Sequence, residues 1–231
     1  MEQVFLSDIE LFLADKIIDS IIFISGNEAN HILKVMRHKT GDKIFVTDGN
    51  GKIFQTKIIN TSRRELECEI VNEYSYKMDF PNLTICIPRL RNNDRFDFAL
   101  EKLVEMGITN FIVFESNRTI AKGEKLERWN KIAIAAMKQS LRSFLPNIKF
   151  AKSIEEIETE NGEIISFDQN ANKVWGKSEF NLTKKTILIF GPEGGYSKKE
   201  ESVLNKHLKY RLTENRLRSE TAIITAIAKI I

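Results

Sequence analysis

The run Ile187-Leu188-Ile189-Phe190 leads without a break into Gly191-Pro192-Glu193-Gly194-Gly195, and Ser197 then precedes Glu200 at the spacing of a helix-opening capping box. A strand this apolar on both faces belongs inside a sheet that is covered on both sides. Open α/β sheets bind ligands at the carboxyl ends of their strands, where this glycine run falls. Three glycines remove side chains, so the backbone can approach a flat ligand with its N–H and C=O groups. The run is not a Walker A loop, since no Gly-Lys-Ser/Thr follows, nor is it GxGxxG, which disfavours nucleotide triphosphate hydrolysis. A tight strand-to-helix turn without a ligand accounts for the same residues equally well.

The surrounding grammar agrees with such a sheet. Strands are expected at 83–87, 111–114, 164–167 and 186–190. Between the first two, Phe96, Leu100, Leu103 and Val104 mark one face of a helix over 94–106 that Gly107 stops. Leu126, Trp129, Ile132, Ala133, Ala136, Met137 and Leu141 repeat at amphipathic spacing, predicting a helix over 124–144 that Pro146 ends. Ser153 with Glu156 caps a short helix, and 221–231 is an apolar one. Strands alternating with helices predict an α/β domain with a mostly parallel sheet.

The first third reads differently. Apolar runs at 4–7, 21–25, 43–47 and 52–59 and the strict alternation Leu66-Glu67-Cys68-Glu69-Ile70 are strand signals. Asp48-Gly49-Asn50-Gly51 is a hairpin turn. One helix interrupts them, with Asn27 as its expected N-cap, Ala29, Ile32, Leu33 and Met36 on one face, and Gly41 just beyond its end. A small β-barrel over 1–74, joined by the linker 74–81 to an α/β domain within 75–231, is the expected organisation.

Composition sets the class. Of 231 residues, 42% are hydrophobic and 29% charged, and 15 Phe can fill a core, so the chain is globular. No apolar run reaches the ~18 residues that span a bilayer. The opening MEQVFLSDIELFL carries acids where a signal peptide carries basic residues, so a soluble, cytoplasmic protein is expected. Cys68 and Cys86 alone form neither a disulfide framework nor a cysteine zinc site. Charge is uneven: residues 1–75 hold 9 Lys/Arg against 12 Asp/Glu, and the remainder 26 against 20. A basic second half suits an anionic partner such as nucleic acid, and equally a solvated surface.

Three further segments carry candidate chemistry. In Arg216-Leu217-Arg218-Ser219-Glu220-Thr221-Ala222, Glu220 and Thr221 suit a first helical turn, and Arg218 could grip an anion or pair with Glu220; capping is the stronger reading of this segment alone. His31, Lys34, Arg37, His38 and Lys39 could meet phosphates, but no third ligand makes a metal site of the two histidines. Arg118, Lys122, Lys138 and Arg142 form a looser basic set around the long helix, as solvated residues also would. No Ser-His-Asp order or carboxylate pair stands out, so hydrolase readings rank low.

Taken together and in order, these segments resemble the bacterial 16S rRNA (uracil-N3)-methyltransferases of the SPOUT superfamily. The resemblance rests on His31…Val35-Met36-Arg37 with Gly41, Glu101-Lys102-Leu103-Val104-Glu105-Met106-Gly107, Arg118-Thr119, Gln139-Ser140-Leu141-Arg142 with Pro146, the GPEGG loop with Ser197 and Glu200, and Leu217-Arg218-Ser219-Glu220-Thr221-Ala222. Thr213, Asn215 and Arg216 depart from that family's glycine, arginine and apolar residue, while Arg218 stays in register.

The resemblance implies a PUA-like RNA-binding barrel followed by a SPOUT methyltransferase domain tied in a deep trefoil knot, which a pattern argument would reject because threaded chains are so rare. It implies a homodimer, and S-adenosylmethionine (SAM) held by Phe167, Phe190, Gly191, Gly194, Gly195, Leu212, Leu217, Thr221 and Ala222. No metal is called for, because a sulfonium is already a good leaving group. Arg218 would stabilise charge developing on a uracil carbonyl, and Glu220 is the candidate base. The 16S rRNA of the small ribosomal subunit would meet Lys34, Arg37, Lys39, Arg118 and Arg142. Another SPOUT enzyme acting on tRNA ribose, or a non-catalytic PUA-type RNA-binding protein, are the alternatives.

Overall fold

The computed structural model describes residues 6–62 and 64–231, which form two compact units: Met1–Met78 with Met137–Leu145, and Asp79–Ala136 with Pro146–Ile231. The strand expected at 4–7 falls partly outside the described residues, and Leu6 and Ser7 are not in a strand. No helix among the described residues is long and apolar enough to cross a membrane.

The first unit contains β1 (Leu11–Leu13), β2 (Lys16–Ile18), β3 (Ile21–Ser25), β4 (Lys43–Thr47), β5 (Lys52–Thr61) and β6 (Glu65–Ser75), in the sheet order β1-β4-β5-β6-β3-β2. Its two edges meet: the Ala14 N–H donates to the Thr47 carbonyl, and the next N–H, of Asp15, to the Phe23 carbonyl. That curls the sheet into a small barrel around Phe12, Ile22, Ile24, Val46, Phe54, Ile58, Leu66 and Cys68. The alternation read at 66–70 therefore places Leu66 and Cys68 inside. At the hairpin, Asp48 Oδ1 accepts from the N–H groups of Asn50 and Lys52, and Gly49 and Gly51 take φ of 71° and 105°. A Cβ at Gly51 would come within 2.6 Å of the Phe144 ring, which explains why residues 137–145 join this unit.

The single expected helix of this unit is two short turns. α1 (Gly26–Asn30) begins after Ser25, which takes the N-cap position assigned to Asn27, and a π-helical turn, His31–Val35, follows. Arg37, with φ of 62°, stands in the left-handed position where glycine usually ends a helix.

The second unit runs β7 (Leu83–Pro88), α2 (Asn93–Glu105), β8 (Asn110–Phe114), α3 (Leu126–Gln139), β9 (Asn147–Ala151), α4 (Ile154–Glu158), β10 (Glu163–Phe167), β11 (Thr186–Ile189), α5 (Lys198–Leu204), β12 (Leu208–Tyr210) and α6 (Ser219–Ala228). All six strands are parallel, in the order β12-β10-β11-β7-β8-β9. Residues 124–144 are not one helix. α3 ends at Gln139, and Leu141 turns the chain with φ of 56°, well before Pro146.

The strand order determines the threading. Strands β7, β8 and β9 step one way across the sheet, whereas β10 and β11 lie beyond β7 on the other side. Right-handed crossovers then place α2 and α4 on opposite faces. α5 shares the α4 face, where Ile154, Ile157, Val203 and Leu204 cover Cys86, Ile187 and Ile189, while α6 packs on α2. Between α5 and α6 the chain passes through β12. β12 pairs with β10 on one side; on the other, Arg211 donates to the Lys173 carbonyl and accepts from the Trp175 N–H. Residues 168–185 thus close a ring with β10 and β11, and the chain from α5 to α6 crosses that ring from face to face. This is the trefoil knot of a SPOUT-type α/β domain, preceded by a PUA-like barrel. Buried Trp175, on the ring, donates from Nε1 to the Ala226 carbonyl at 2.8 Å, fastening the threaded helix.

Candidate active site

A cavity of about 650 Å³ opens at the carboxyl ends of β10, β11 and β12, a size that suits a cofactor. One wall is aromatic: Phe167 and Phe190, at the ends of neighbouring strands, stack with centroids 4.7 Å apart and planes 13° from parallel. Leu204, Leu212 and Leu217 extend the apolar lining. Ser166, Asp168, Gln169, Asn170 and Lys209 supply polar groups at one end, and Arg95, Arg216 and Arg218 line it with charge.

The glycine loop forms the floor. Its turn is closed by the Gly195 N–H donating to the Pro192 carbonyl at 2.9 Å, and Gly195 takes φ of +68°, a conformation that suits glycine. Gly191 and Gly195 face the cavity. Gly194 does not line it. A Cβ there would sit 3.3 Å from Arg118, whose Nη1 donates to the Gly194 carbonyl, so Arg118, expected in a loose basic set around the long helix, packs on the glycine loop. Glu193 accepts from the Arg91 N–H at 3.3 Å and lies 3.6 Å from Arg95 Nη1.

Behind the loop, α5 begins with the full capping box expected at Ser197 and Glu200. Glu200 is buried, and its Oε1 also accepts from the Asn117 N–H at 2.9 Å. Burial alone would raise this carboxyl, but the donated N–H groups of Ser197 and Asn117 outweigh it and hold the group below the usual carboxylate range. Tyr196 lines the cavity, and its buried hydroxyl has no hydrogen-bond partner among the described residues; burial pushes this phenol well above its ordinary value. Ser153 takes the expected N-cap of α4, but the capping box with Glu156 does not form: the Ser153 side chain caps nothing, and Glu156 Oε2 accepts instead from the Lys152 N–H at 2.8 Å.

The opposite wall is residues 212–222. Lys229 Nζ donates to the Leu212 carbonyl at 2.6 Å, and Gln169 Nε2 to the Glu214 carbonyl at 2.9 Å. Thr213, standing where the resembling family has glycine, keeps a negative φ and ties its hydroxyl to the Asn215 carbonyl, so no glycine is needed there. Arg218 occupies the N-cap of α6; its exposed guanidinium lines the cavity and makes no hydrogen bond or ion pair among the described residues. The Ser219 hydroxyl donates to the Gly191 carbonyl at 2.8 Å. Ala222 lines the cavity, while Thr221 is exposed and does not. Glu220 is buried beside the cavity wall, 3.5 Å from Arg95 Nε, and its Oε2 receives no hydrogen bond among the described residues.

The site therefore gathers Phe167, Phe190, Gly191, Gly195, Leu212, Leu217, Arg218 and Ala222, and leaves Gly194, Glu220 and Thr221 just outside its lining. Sequence reasoning missed Arg95, Tyr196 and the polar run Asp168-Gln169-Asn170. That run, directly after an apolar strand, was a readable signal; Arg95 carried none. In the first unit, Lys34, Arg37 and Lys39 are exposed together around the end of the π turn, with His31 and Val35 beside them. Arg142 is half-buried in the same unit and has a partner there or elsewhere in the chain.

Residues 78–231 match the family model described as the RNA methyltransferase domain, and residues 24–71 the one described as the RNA methyltransferase PUA domain. The chain is 30% identical over 225 residues to a protein of Aquifex aeolicus named ribosomal RNA small subunit methyltransferase E, covering 94% of this chain and 97% of that one. Among solved structures, a probable rRNA-methyltransferase from Porphyromonas gingivalis superposes with a TM-score of 0.79 at 28% identity, over 95% of this chain and 96% of its own. The small subunit methyltransferase E of Neisseria gonorrhoeae, solved bound to S-adenosyl methionine, superposes with a TM-score of 0.80 at 26% identity, over 95% of each chain.

Proposed function

The chain belongs to the RNA methyltransferase family, and on that footing we propose that it transfers a methyl group from SAM to N3 of a specific uridine in 16S rRNA of the small ribosomal subunit. The observation that carries the reading is the cavity at the knot, lined by a cationic side chain, Arg218, that has no partner among the described residues.

The residues present fit SAM. The stacked Phe167 and Phe190 and the leucines offer an apolar bed, Gly191 and Gly195 leave backbone exposed to the ligand, and the buried Tyr196 hydroxyl lacks, among the described residues, a partner that a polar ligand atom would provide. When bound, SAM supplies an electrophilic methyl group on a positively charged sulfur. The chain's own work is then on the acceptor. A uridine N3–H is about as weakly acidic as a phenol, so at neutral pH the nitrogen needs its proton removed as it reacts. Arg218 donates to a uracil carbonyl and stabilises the negative charge that spreads onto it. Glu220, whose Oε2 has no donor among the described residues, takes the N3 proton.

Lys34, Arg37 and Lys39 on the barrel, and Arg118 beside the glycine loop, contact RNA phosphates in this reading. The protein acts as a cytoplasmic homodimer. Within the chain, α2 already covers much of α6, since Ile223, Ala226 and Ile227 are buried; half-buried Ile224 and Thr225 remain for a second copy. Titration calorimetry tests the cofactor step: SAM binds one site per chain with release of heat, whereas a non-catalytic RNA-binding protein takes up none.

A further inference from the structure

Arg216 is a charged residue of the cavity to which the reading above gives no work. It lines the cavity, is exposed, and makes no hydrogen bond or ion pair among the described residues. The backbone that carries it is braced. Gln169 Nε2 donates to the carbonyls of Thr213 and Glu214 at 3.3 and 2.9 Å, and the Thr213 hydroxyl donates to the Asn215 carbonyl at 2.7 Å. Arg211 holds both carboxylate oxygens of Glu214, at 3.0 and 3.2 Å, so the acid nearest to Arg216 in sequence is already taken.

The acids that line the cavity are engaged elsewhere. Asp168 lies 4.0 Å from Lys209 Nζ, and Glu193 lies 3.6 Å from Arg95 Nη1. Glu201 belongs to the first turn of α5, where a carboxylate complements the helix dipole. Among the described residues of the lining, Arg216 and Arg218 are the two cations without an acid.

We propose that Arg216 holds the α-carboxylate of SAM. The proposal rests on the SAM reading given above. SAM carries one anionic group, that carboxylate, and enclosing it without a donor is costly. A guanidinium presents parallel N–H groups that match the two carboxylate oxygens. Arg218 cannot serve both ligands, because a carboxylate on it would neutralise the charge that the uracil carbonyl needs. Arg216 therefore takes the cofactor and leaves Arg218 for the acceptor. It is a specificity-determining residue: a sulfonium cofactor that lacks the carboxylate meets an unmatched positive charge there.

The test is titration calorimetry of the full chain with SAM and with decarboxylated SAM, which keeps the adenosine, the sulfonium and the amine. The wild-type protein prefers SAM, and in Arg216→Ala the ratio of the two affinities falls about tenfold, as the loss of a charge-assisted hydrogen bond implies. Taking the ratio cancels whatever the shortened side chain does to the lining as a whole. Arg216→Lys, which keeps the charge but not the fork, recovers only part of the ratio. The melting temperature of the unliganded protein changes little, since Arg216 has no partner among the described residues to lose. An unchanged ratio in Arg216→Ala overturns the proposal. The salt dependence of rRNA binding then separates the other roles: a slope lower by about one contact assigns Arg216 to an RNA phosphate, and an unchanged slope to solvent. If the wild-type protein binds neither compound, the cofactor reading itself fails, which is a different result from a lost assignment of Arg216.

Discussion

The hydroxyl of Ser219 donates to the carbonyl of Gly191 at 2.8 Å, joining the first turn of the threaded helix to the glycine loop. The two walls of the cavity are therefore coupled through one side chain that belongs to α6. Ser219→Ala leaves the Gly191 carbonyl without this donor and costs about 1 kcal/mol of stability. Because the loop is also the cavity floor, SAM affinity falls severalfold in the same variant. Calorimetry on Ser219→Ala that shows wild-type affinity would mean the loop holds its shape alone.

Gly195 sits at φ of +68° and faces the cavity. A β-branched side chain is strained there by about 1–2 kcal/mol and also projects from the floor. Gly195→Val is expected to remain folded, by circular dichroism and melting, yet to lose SAM binding by at least about tenfold. A folded variant with unchanged affinity would remove the loop from the cofactor site.

Acid should loosen the helix behind the loop. Glu200 is held below the usual carboxylate range by N–H groups it receives only in the fold. Its stabilisation is thus fully present above the unfolded-state value and is lost as pH falls through the lower folded-state value. Glu200→Gln should lower the melting temperature near pH 7, with a loss of about 2 kcal/mol for the charged hydrogen bonds. That gap between wild type and variant narrows once the pH drops below about 4.5. A gap that stays constant down to pH 3 would show the carboxylate charge to be irrelevant.

Arg37 makes a double test possible because it is exposed and left-handed, with φ of 62°. Arg37→Gly relieves about 1 kcal/mol of backbone strain, so the melting temperature rises. If Arg37 also meets a phosphate, the slope of log affinity for rRNA against log salt falls by about one contact, with SAM affinity untouched. Higher stability together with an unchanged salt slope would assign the residue to helix termination alone.

Much of this site could be read from residue order. The apolar strand ending at Phe190, the glycines after it and the Ser197–Glu200 box are local signals, and each fixes its own conformation. Cys86, Ile187 and Ile189 sit under α4 and α5, as a sheet covered on both faces requires. The knot could not be read that way. It depends on β12, three residues long, being gripped between β10 and the 173–175 segment, and neither has a periodic pattern. The bottom of α3 was misjudged for a related reason: Leu141 keeps helical spacing, but its left-handed backbone is set by packing of residues 143–145 on the Gly49–Gly51 turn. Arg95 was invisible because its partners, Glu193 and Glu220, lie in other segments. Motif order did mark Arg118, though not its seat on Gly194.

The central claim is the identity of the methylated atom. Small subunits from a strain lacking the gene, incubated with the purified protein and isotopically methyl-labelled SAM, are digested to nucleosides and resolved by mass spectrometry. The account predicts one labelled product, N3-methyluridine, absent when SAM is omitted and reduced by at least about a hundredfold in Arg218→Ala, as expected for a group acting on developing charge. Label found on a ribose oxygen or on another base, or no transfer at all with SAM bound, would contradict it.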